Sequence, residues 1–293
     1  MRAAIIIGSN SLRMLLDTKP QKKRFRQQTG LFSRLNNKRI SREDALSLAE
    51  YINKFIETAA SFGADSFFLG ATSAVRDAKN QEEVRLLIRQ ITGLSAAVLT
   101  GAQEAELSFM GAADSLLKCG VVDIGGGSTE IATGENGKII KNASFQIGAA
   151  RLYKKAQINS ASDIDFAMYE AAKAFKDAAF DADKWYFAGG TAAILAHMLN
   201  KESCSAALKD TEINFGDIKK ALEFLADTPR ELRSKIPAVP KGREDILPTG
   251  AAILLSLMQK YDINKLTATE RSNLDGALKA EALGKIKFSP LHR

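Results

Sequence analysis

Residues 123–129 bring together the groups that phosphate chemistry requires. An apolar run reaches Asp123, and three glycines and two hydroxyl residues follow within six positions. Glycine at the end of a strand can take positive φ and lets the backbone approach a ligand, so that successive N–H groups can converge on phosphate oxygens. Hydroxyls add donors, and a carboxylate can hold a metal ion or orient a water. The stretch predicts a phosphate loop formed by Gly125, Gly126, Gly127, Ser128 and Thr129. The alternative is a hairpin turn that binds no ligand.

A shorter version of the same pattern lies near the N-terminus. The apolar run 4–7 leads directly into a glycine and two serines, in the same order of strand, glycine and hydroxyl. Two such loops could face each other and hold one phosphate between them. We therefore predict a second phosphate loop, formed by Gly8, Ser9, Asn10 and Ser11.

Hydrolysis of a phosphoanhydride also needs a base for the attacking water and cations that neutralise phosphate charge. Glu104 and Glu130 are the acids best placed by sequence, because Glu104 lies in the first turn of an expected helix whose N-terminus can face an anion. Arg76 follows a run of small residues and could clamp a phosphate through two hydrogen bonds. Structural alternatives stay open for two of them: Glu104 as a first-turn acid that stabilises the helix dipole, and Arg76 in an ion pair with Asp77 or Glu83.

Three further features give weaker signals. Gly190 belongs to a third strand-to-glycine junction and is a candidate phosphate-binding residue, although the junction taken alone favours a tight turn between a strand and a helix. His197, on the apolar helix that follows, is more typical of a core histidine than of a catalyst. The two cysteines, Cys119 and Cys204, are far apart with no second pair of ligands near either. They indicate neither a disulfide framework nor a zinc site, and they favour a reducing cytoplasm.

The elements that must position these residues alternate between strands and helices, which is typical of an α/β fold. In the first half, strands are expected at 4–7, 66–70 and 96–99, with helices at 42–62 after a Ser41 cap, at 81–92 after an Asn80 cap, and from 101. In the second half, strands are expected at 120–124, 129–133, 138–145 and 185–188, with helices at 161–178 and 189–198. The repeat of this architecture predicts two closely packed domains, 1–115 and 116–293, with a cleft between them.

Length and charge narrow the class of protein. A chain of 293 residues suits two domains of ordinary size. It has no apolar run long enough to span a bilayer, and its first apolar run is too short for a signal peptide. Residues 1–42 hold eleven Lys or Arg against one acid, a local charge of +10, while the remainder is close to −3. This segment fits a polyanionic ligand or a solvated basic hairpin edge. Nucleic acid is disfavoured, because helix-turn-helix, zinc-finger and aromatic RNA-binding signatures are missing.

Together and in this order, the motifs resemble the exopolyphosphatase and guanosine pentaphosphate phosphohydrolase (Ppx/GppA) family of the actin-like ATPase superfamily. The resemblance covers most of the chain and is carried by residues 8–11, 71–80, 100–105, 123–130, 148–152 and 189–191. Weaker likeness continues through 243–245, 250–253 and 269–278. It implies a short member with two ribonuclease-H-like α/β domains flanking an interdomain cleft, the last helix packing back on the first domain.

The resemblance also implies roles for single residues. It assigns the catalytic base to Glu104, phosphate binding in catalysis to Arg76, and binding of Mg²⁺ and its water to Asp123 and Glu130. A monovalent cation is a second cofactor option. Gln103 stands where many members have another Glu. The implied ligands are polyphosphate or guanosine pentaphosphate, and the implied assembly is a homodimer without membrane association.

Three positions depart from the family pattern. Ile6 stands where the first loop usually has Asp, and Glu270 and Leu274 stand where Asp and Arg are more common. Loss of the carboxylate at position 6 removes a group that helps such loops hold a metal. The sequence thus leaves two main hypotheses: a hydrolase that releases terminal phosphate, and a catalytically weakened sensor that binds polyphosphate or a nucleotide. A sugar or acetate kinase of the same superfamily is a third, disfavoured one.

Overall fold

The computed structural model describes residues 1–18, 21–114, 116–175 and 178–291. Three features of the sequence analysis touch positions outside these described residues: the basic Lys19, the domain boundary at Ser115, and residues 176–177 of the helix expected at 161–178.

Twelve strands form two sheets within the described residues. Those of the first sheet are β1 (Arg2–Ile7), β2 (Ser11–Leu16), β3 (Lys23–Gln28), β4 (Ser66–Ala71), β5 (Ala97–Val98) and β12 (Ser289–Pro290). Those of the second sheet are β6 (Cys119–Ile124), β7 (Thr129–Glu135), β8 (Lys138–Phe145), β9 (Lys184–Ala188), β10 (Thr211–Asn214) and β11 (Lys265–Ala268).

The two sheets repeat one topology. In the first, β1 pairs antiparallel with β2 and parallel with β4, and β2 continues to β3. In the second, β6 pairs antiparallel with β7 and parallel with β9, and β7 continues to β8. Each glycine motif therefore joins the central strand of its sheet to the hairpin partner. The repeat places the two expected phosphate loops at equivalent corners of the two sheets.

Helices cover the sheets and connect them. They are α1 (Leu31–Arg34), α2 (Arg42–Ser61), α3 (Ser73–Arg76), α4 (Gln81–Thr92), α5 (Gly101–Ala112), α6 (Ala149–Tyr153), α7 (Ile164–Ala172), α8 (Gly189–Leu199), α9 (Phe215–Asp227), α10 (Arg230–Arg233), α11 (Leu247–Lys260) and α12 (Asn273–Ala282).

Most expected elements occur within a few residues of the expected bounds, with two differences. The Asn80 side chain does not cap α4, because it exchanges two hydrogen bonds with the backbone of Ile40 instead. The helix expected at 161–178 is shorter: α7 covers Ile164–Ala172 and is flanked by single 3₁₀ turns. The Ser41 cap forms as expected, since its hydroxyl accepts from the amide of Asp44.

Helix α5 lies between the two sheets. Its Leu107 joins an apolar cluster with Ala4 and Phe68 of the first sheet. Its Phe109 joins another with Val121 of β6 and Tyr186 of β9. A helix that contacts both sheets can present its N-terminal turn to the space between the two loops.

The C-terminal segment packs against the first sheet. Helix α12 crosses α5, and β12 pairs antiparallel with β4. The crossing is close enough that a Cβ at Gly111 would overlap the Ser272 carbonyl oxygen, and one at Gly276 would overlap that of Leu107. Across the described residues, no helix combines the length and apolar character that a membrane crossing requires.

Candidate active site

The two glycine loops close in the same way. In the first, the Gly8 amide donates to the Ser11 carbonyl at 3.0 Å; in the second, the Gly125 amide donates to the Ser128 carbonyl at 2.9 Å. The loops also touch each other, since a Cβ at Gly126 would lie 3.0 Å from the Cβ of Ser9. The two loops expected from sequence therefore face each other across the cleft.

Short helices bind the back of each loop. Behind the second loop, the amides of Ala149 and Ala150 at the start of α6 donate to the carbonyls of Gly125 and Gly126 at 2.9 and 2.8 Å. The Arg151 Nε donates to the next carbonyl, that of Gly127, at 2.6 Å. Since a trans peptide points its C=O and N–H in opposite directions, the following amides face away from α6. These amides belong to Gly126, Gly127 and Ser128.

The first loop has the same arrangement around α1. The Phe32 amide donates to the Ser9 carbonyl at 2.8 Å, and the Gly30 amide donates to the Asn10 carbonyl at 3.0 Å. The next amides, of Asn10 and Ser11, consequently point away from α1. Both loops thus aim backbone N–H groups away from their backing helices, as an anion site requires.

Three carboxylates lie beside the loops. Glu104 and Asp123 line the cleft. Asp123 accepts from the Ser108 hydroxyl at 2.9 Å, and Glu130 accepts from the Ser144 hydroxyl at 2.6 Å. Burial, followed by the charges of Glu104 and Asp123, raises the pKa of Glu130 well above its ordinary value. A site that raises a carboxyl pKa in this way favours the binding of a cation or a proton.

Glu104 is held by Arg76. The Arg76 Nη1 donates to Glu104 Oε2 at 3.0 Å and to the Leu99 carbonyl at 3.0 Å, and Glu104 itself is 7% exposed. Burial raises the pKa of Glu104, the charge and hydrogen bond of Arg76 lower it, and the Asp123 charge raises it further; the net direction is upward. A buried carboxylate whose pKa lies above that of a free Glu is the better proton acceptor of the two.

Three arginines line the same cleft and were not among the expected site residues: Arg13, Arg26 and Arg243. Arg13 and Arg26 are paired positions on β2 and β3. Arg243 is 7% exposed, and its Nε is buried without a hydrogen-bond partner. Burial, then the charges of Arg26 and Arg13, lowers the pKa of Arg243 well below its ordinary value. Among the described residues these three arginines form no ion pair, so their positive charges are available to an anion in the cleft.

One signal in the sequence pointed to Arg13. It lies two residues after Ser11 on a strand, so both side chains share one face of the sheet. The place of Arg26 beside Arg13 could be assigned only from the register of β2 with β3. Arg243 comes from a segment more than two hundred residues further along the chain, and its place beside Gly190, where an added Cβ would lie 3.0 Å from its Nη2, is a tertiary result.

The third glycine junction has a structural explanation. Gly189 has a φ of +92°, and a Cβ there would overlap the Asp123 carboxylate oxygen. Glycine is needed both for the backbone angle and for the approach of the carboxylate. Gly190 lines the cleft, as expected for a phosphate-binding position.

Comparison with known proteins decides the family. A family model described as the Ppx/GppA phosphatase family matches residues 7–283. The chain belongs to this family. Exopolyphosphatase 2 of Mycobacterium tuberculosis is 30% identical over 230 residues, which are 70% of this chain and 72% of that protein.

Solved Ppx/GppA-type structures have the same fold. An exopolyphosphatase from Cytophaga hutchinsonii superposes with a TM-score of 0.86 at 21% identity, covering 97% of this chain and 98% of that one. The Aquifex aeolicus Ppx/GppA family member gives 0.80 at 22% identity, covering 97% and 98%. The expected two-domain, actin-like α/β fold is confirmed, and this Ppx/GppA protein is a phosphoanhydride hydrolase by family.

The structure brings some expected site residues of this Ppx/GppA protein to the cleft and not others. Those lining it are Gly8, Ser9, Asn10, Ser11, Glu104, Asp123, Gly125, Gly126, Ser128 and Gly190. The Thr129 hydroxyl instead donates to the Ile147 carbonyl at 2.6 Å, which leaves it no proton for a ligand. Arg76 lies behind Glu104 and its pair with Asp77 is long, at 3.9 Å. Gly127 and Glu130 are buried and are not among the residues that line the cleft.

The carboxyl groups at the cleft fit a hard divalent cation whose coordination is completed by waters and phosphate. No three His, Cys, Asp or Glu side chains converge on a metal position within the described residues. Mg²⁺, however, is usually held by one or two carboxylates together with waters and substrate phosphates, and it does not require an all-protein cage. Asp123 and Glu130 are adjacent across the β6–β7 pairing, and each places a carboxyl group in a buried site. They suit Mg²⁺ completed by phosphate.

Proposed function

We propose that this Ppx/GppA protein releases terminal orthophosphate from inorganic polyphosphate. The observation that carries the proposal is the facing pair of phosphate loops, with Glu104 and Asp123 beside them and three arginines without acidic partners along the same cleft. The name of the related mycobacterial exopolyphosphatase supports the same substrate. A cleft with more cationic groups than one phosphate needs suits a substrate with several linked phosphates.

In the proposed reaction, the loop amides and serine hydroxyls hold the terminal phosphoryl group. Glu104 accepts a proton from a water as the water oxygen forms a bond to the terminal phosphorus. The bond to the bridging oxygen breaks, and its electron pair stays on the shortened chain. Arg76 keeps the Glu104 carboxylate oriented, while Arg13 and Arg243 stabilise charge on phosphate oxygens.

Asp123 and Glu130 are the proposed ligands of Mg²⁺, which when bound supplies charge neutralisation at the phosphate oxygens. Binding also relieves the mutual repulsion of the buried carboxylates. A monovalent cation remains a second option. Guanosine pentaphosphate is a second candidate substrate, because it presents a terminal phosphate on a short chain. The homodimer, the cytoplasmic location and the division at 115 and 116 stay predictions.

A phosphate-release panel tests the proposal. Purified protein is assayed with tripolyphosphate, long-chain polyphosphate, guanosine pentaphosphate and ATP, with and without Mg²⁺. We expect Mg²⁺-dependent release from polyphosphate at a higher kcat/KM than from ATP. Absence of release from every polyphosphate, with intact binding, would instead support the sensor that Ile6 suggests.

Replacement of the proposed base gives a sharper test. Glu104→Gln keeps the size and the hydrogen bond from Arg76 but cannot accept the proton, so we expect phosphate release to fall by about 10²–10⁴-fold. Glu106→Gln, on the same helix with its partner Lys285 outside the cleft, is the matched control and should retain parental turnover. An unchanged rate in Glu104→Gln removes Glu104 from this role.

A further inference from the structure

The two helices that back the phosphate loops meet each other. Phe32 of α1 is 6% exposed and lies against two cations, one in α6 and one directly after it. The Arg151 guanidinium lies 4.7 Å from the Phe32 ring centre and the Lys154 ammonium 5.1 Å from it. The Lys154 Nζ also donates to the Phe32 carbonyl at 3.1 Å. The two halves of the molecule therefore contact each other directly behind the loops.

Among these residues, Arg151 makes hydrogen bonds to both halves of the molecule. Its Nε donates to the Gly127 carbonyl at 2.6 Å, and its Nη2 donates to Asp77 Oδ2 at 2.7 Å and to Gln146 at 3.0 Å. The Arg151 and Asp77 side chains are 22% and 24% exposed. One planar guanidinium thus connects the second phosphate loop with a carboxylate of the first half.

Asp77 connects this contact to Glu104. It directly follows Arg76 at the end of α3, and it also accepts from the Ser73 hydroxyl at 3.3 Å. Ser73 faces the second loop, since a Cβ at Gly127 would overlap its hydroxyl. A shift of Asp77 would move the short helix whose Arg76 holds Glu104.

We propose that Arg151 is a positioning residue for turnover. Without lining the cleft, it holds the Gly127 carbonyl and the Asp77 carboxylate together, so that the loop amides and the Arg76–Glu104 pair keep one fixed relation. The catalytic consequence rests on the proposed function, whereas the structural link between the two loops does not. Lysine cannot replace this arrangement, because its ammonium lacks the planar fork that reaches two acceptors on different sides.

The test compares Arg151→Lys, Arg151→Gln and Asp77→Asn with a matched control. Lys155→Gln removes one positive charge from the exposed residue just after α6 and should leave turnover unchanged. We expect each of the three test variants to lower kcat for tripolyphosphate by about 10–100-fold while remaining folded, because displacement of a catalytic constellation by about 1 Å has costs of this size. The double variant Arg151→Gln/Asp77→Asn should lose no more kcat than the more impaired of its two single variants.

Hydrogen exchange of the protein without substrate gives a readout that does not depend on activity. Amides in 126–129 and 149–151 should exchange faster in Arg151→Gln than in the parent or in Lys155→Gln. A kcat within about two-fold of the parent, or losses that multiply in the double variant, would overturn the proposal. If the parent hydrolyses none of the substrates but exchange still responds, the proposed function fails and the link stands. Unchanged exchange overturns the link.

Discussion

At the scale of single residues, Glu130 is an acidic side chain whose charged form is destabilised by burial. It is 2% exposed and lies near Glu104 and Asp123, whose charges add to the effect of burial on its pKa. The folded state therefore binds a proton at Glu130 more tightly than the unfolded state does. Stability is lost as pH rises from the ordinary value of 4.5 towards the raised pKa, and above it the loss is complete.

Glu130→Gln should accordingly make the metal-free protein more stable at about pH 8 while abolishing its proposed role. Glutamine keeps an acceptor for Ser144 and removes the charge. We expect the thermal midpoint to rise by a few degrees at about pH 8, and this gain to disappear at about pH 4, where the carboxyl is protonated. Glu135→Gln, at the exposed end of the same strand, should change neither midpoint. An equal or lower midpoint for Glu130→Gln at the higher pH contradicts this account.

Ile6 has a structural role that changes how its departure from the family pattern is tested. It is fully buried in an apolar cluster that includes Leu107 and Leu274, and it does not line the cleft. Two of the departures, at 6 and 274, thus fall in one cluster. Apolar side chains at both positions are mutually consistent, whereas an acid at position 6 would enter this apolar cluster with Arg13 as its cross-strand neighbour.

Ile6→Asp alone should therefore destabilise the protein by about 2–5 kcal/mol, mainly through the lost packing of a buried Ile side chain, because Arg13 across the strand pair offsets part of the cost of the charge. Adding Leu274→Arg should recover part of the loss, measured by urea denaturation. The matched control is Ile6→Asn, which has a similar shape without the charge and should gain nothing from Leu274→Arg. If Ile6→Asp is as stable as the parent, the position is better hydrated than its burial implies.

At the scale of elements, helix α5 determines where the proposed base lies. A Thr100–Gln103 capping box fixes its first turn, so Gln103 acts here as a cap. Close crossing with α12 at Gly111 and Gly276 then fixes the distance between the two helices. Because Glu104 follows directly after the capping box, its place depends on both.

Gly276→Ala should separate α5 from α12, because the new methyl group would overlap backbone and not a flexible side chain. We expect a loss of about 1–3 kcal/mol or more, as for other overpacked interiors, together with reduced phosphate release. Gly216→Ala on α9 is the matched control, since its nearest neighbour is a side-chain oxygen at 3.2 Å. Equal urea midpoints for the two variants would show that the crossing adapts.

At the scale of the whole molecule, the basic N-terminal segment divides into two groups. Several of its arginines form ion pairs: Arg2, Arg24, Arg34 and Arg39 pair with Asp17, Asp275, Asp44 and Glu83. Arg13 and Arg26 instead line the cleft. Both interpretations of the segment, a basic hairpin edge and a polyanion site, therefore apply to different residues.

Arg26→Gln should lower kcat/KM for tripolyphosphate and make it less sensitive to salt. The exposed Arg26 side chain lies at the cleft, where its charge can attract an anion. The effect should shrink as added salt shortens the screening length from about 10 Å at 0.1 M to about 3 Å at 1 M. Arg42→Gln, exposed at the start of α2, is the control of equal charge. Equal salt profiles for both variants would show that net charge alone attracts the substrate.

The sequence by itself determined the two glycine loops and the α/β repeat. Strand, glycine and hydroxyl order acts within a few residues, so a local pattern is enough to specify each turn. The tertiary structure decided which side chains meet in the cleft. Arg243 reaches Gly190 across the second half of the chain, Thr129 turns to a backbone carbonyl, and Arg76 lies behind Glu104. These outcomes depend on sheet register and helix crossing, which join segments far apart in the chain, and no local pattern encodes them.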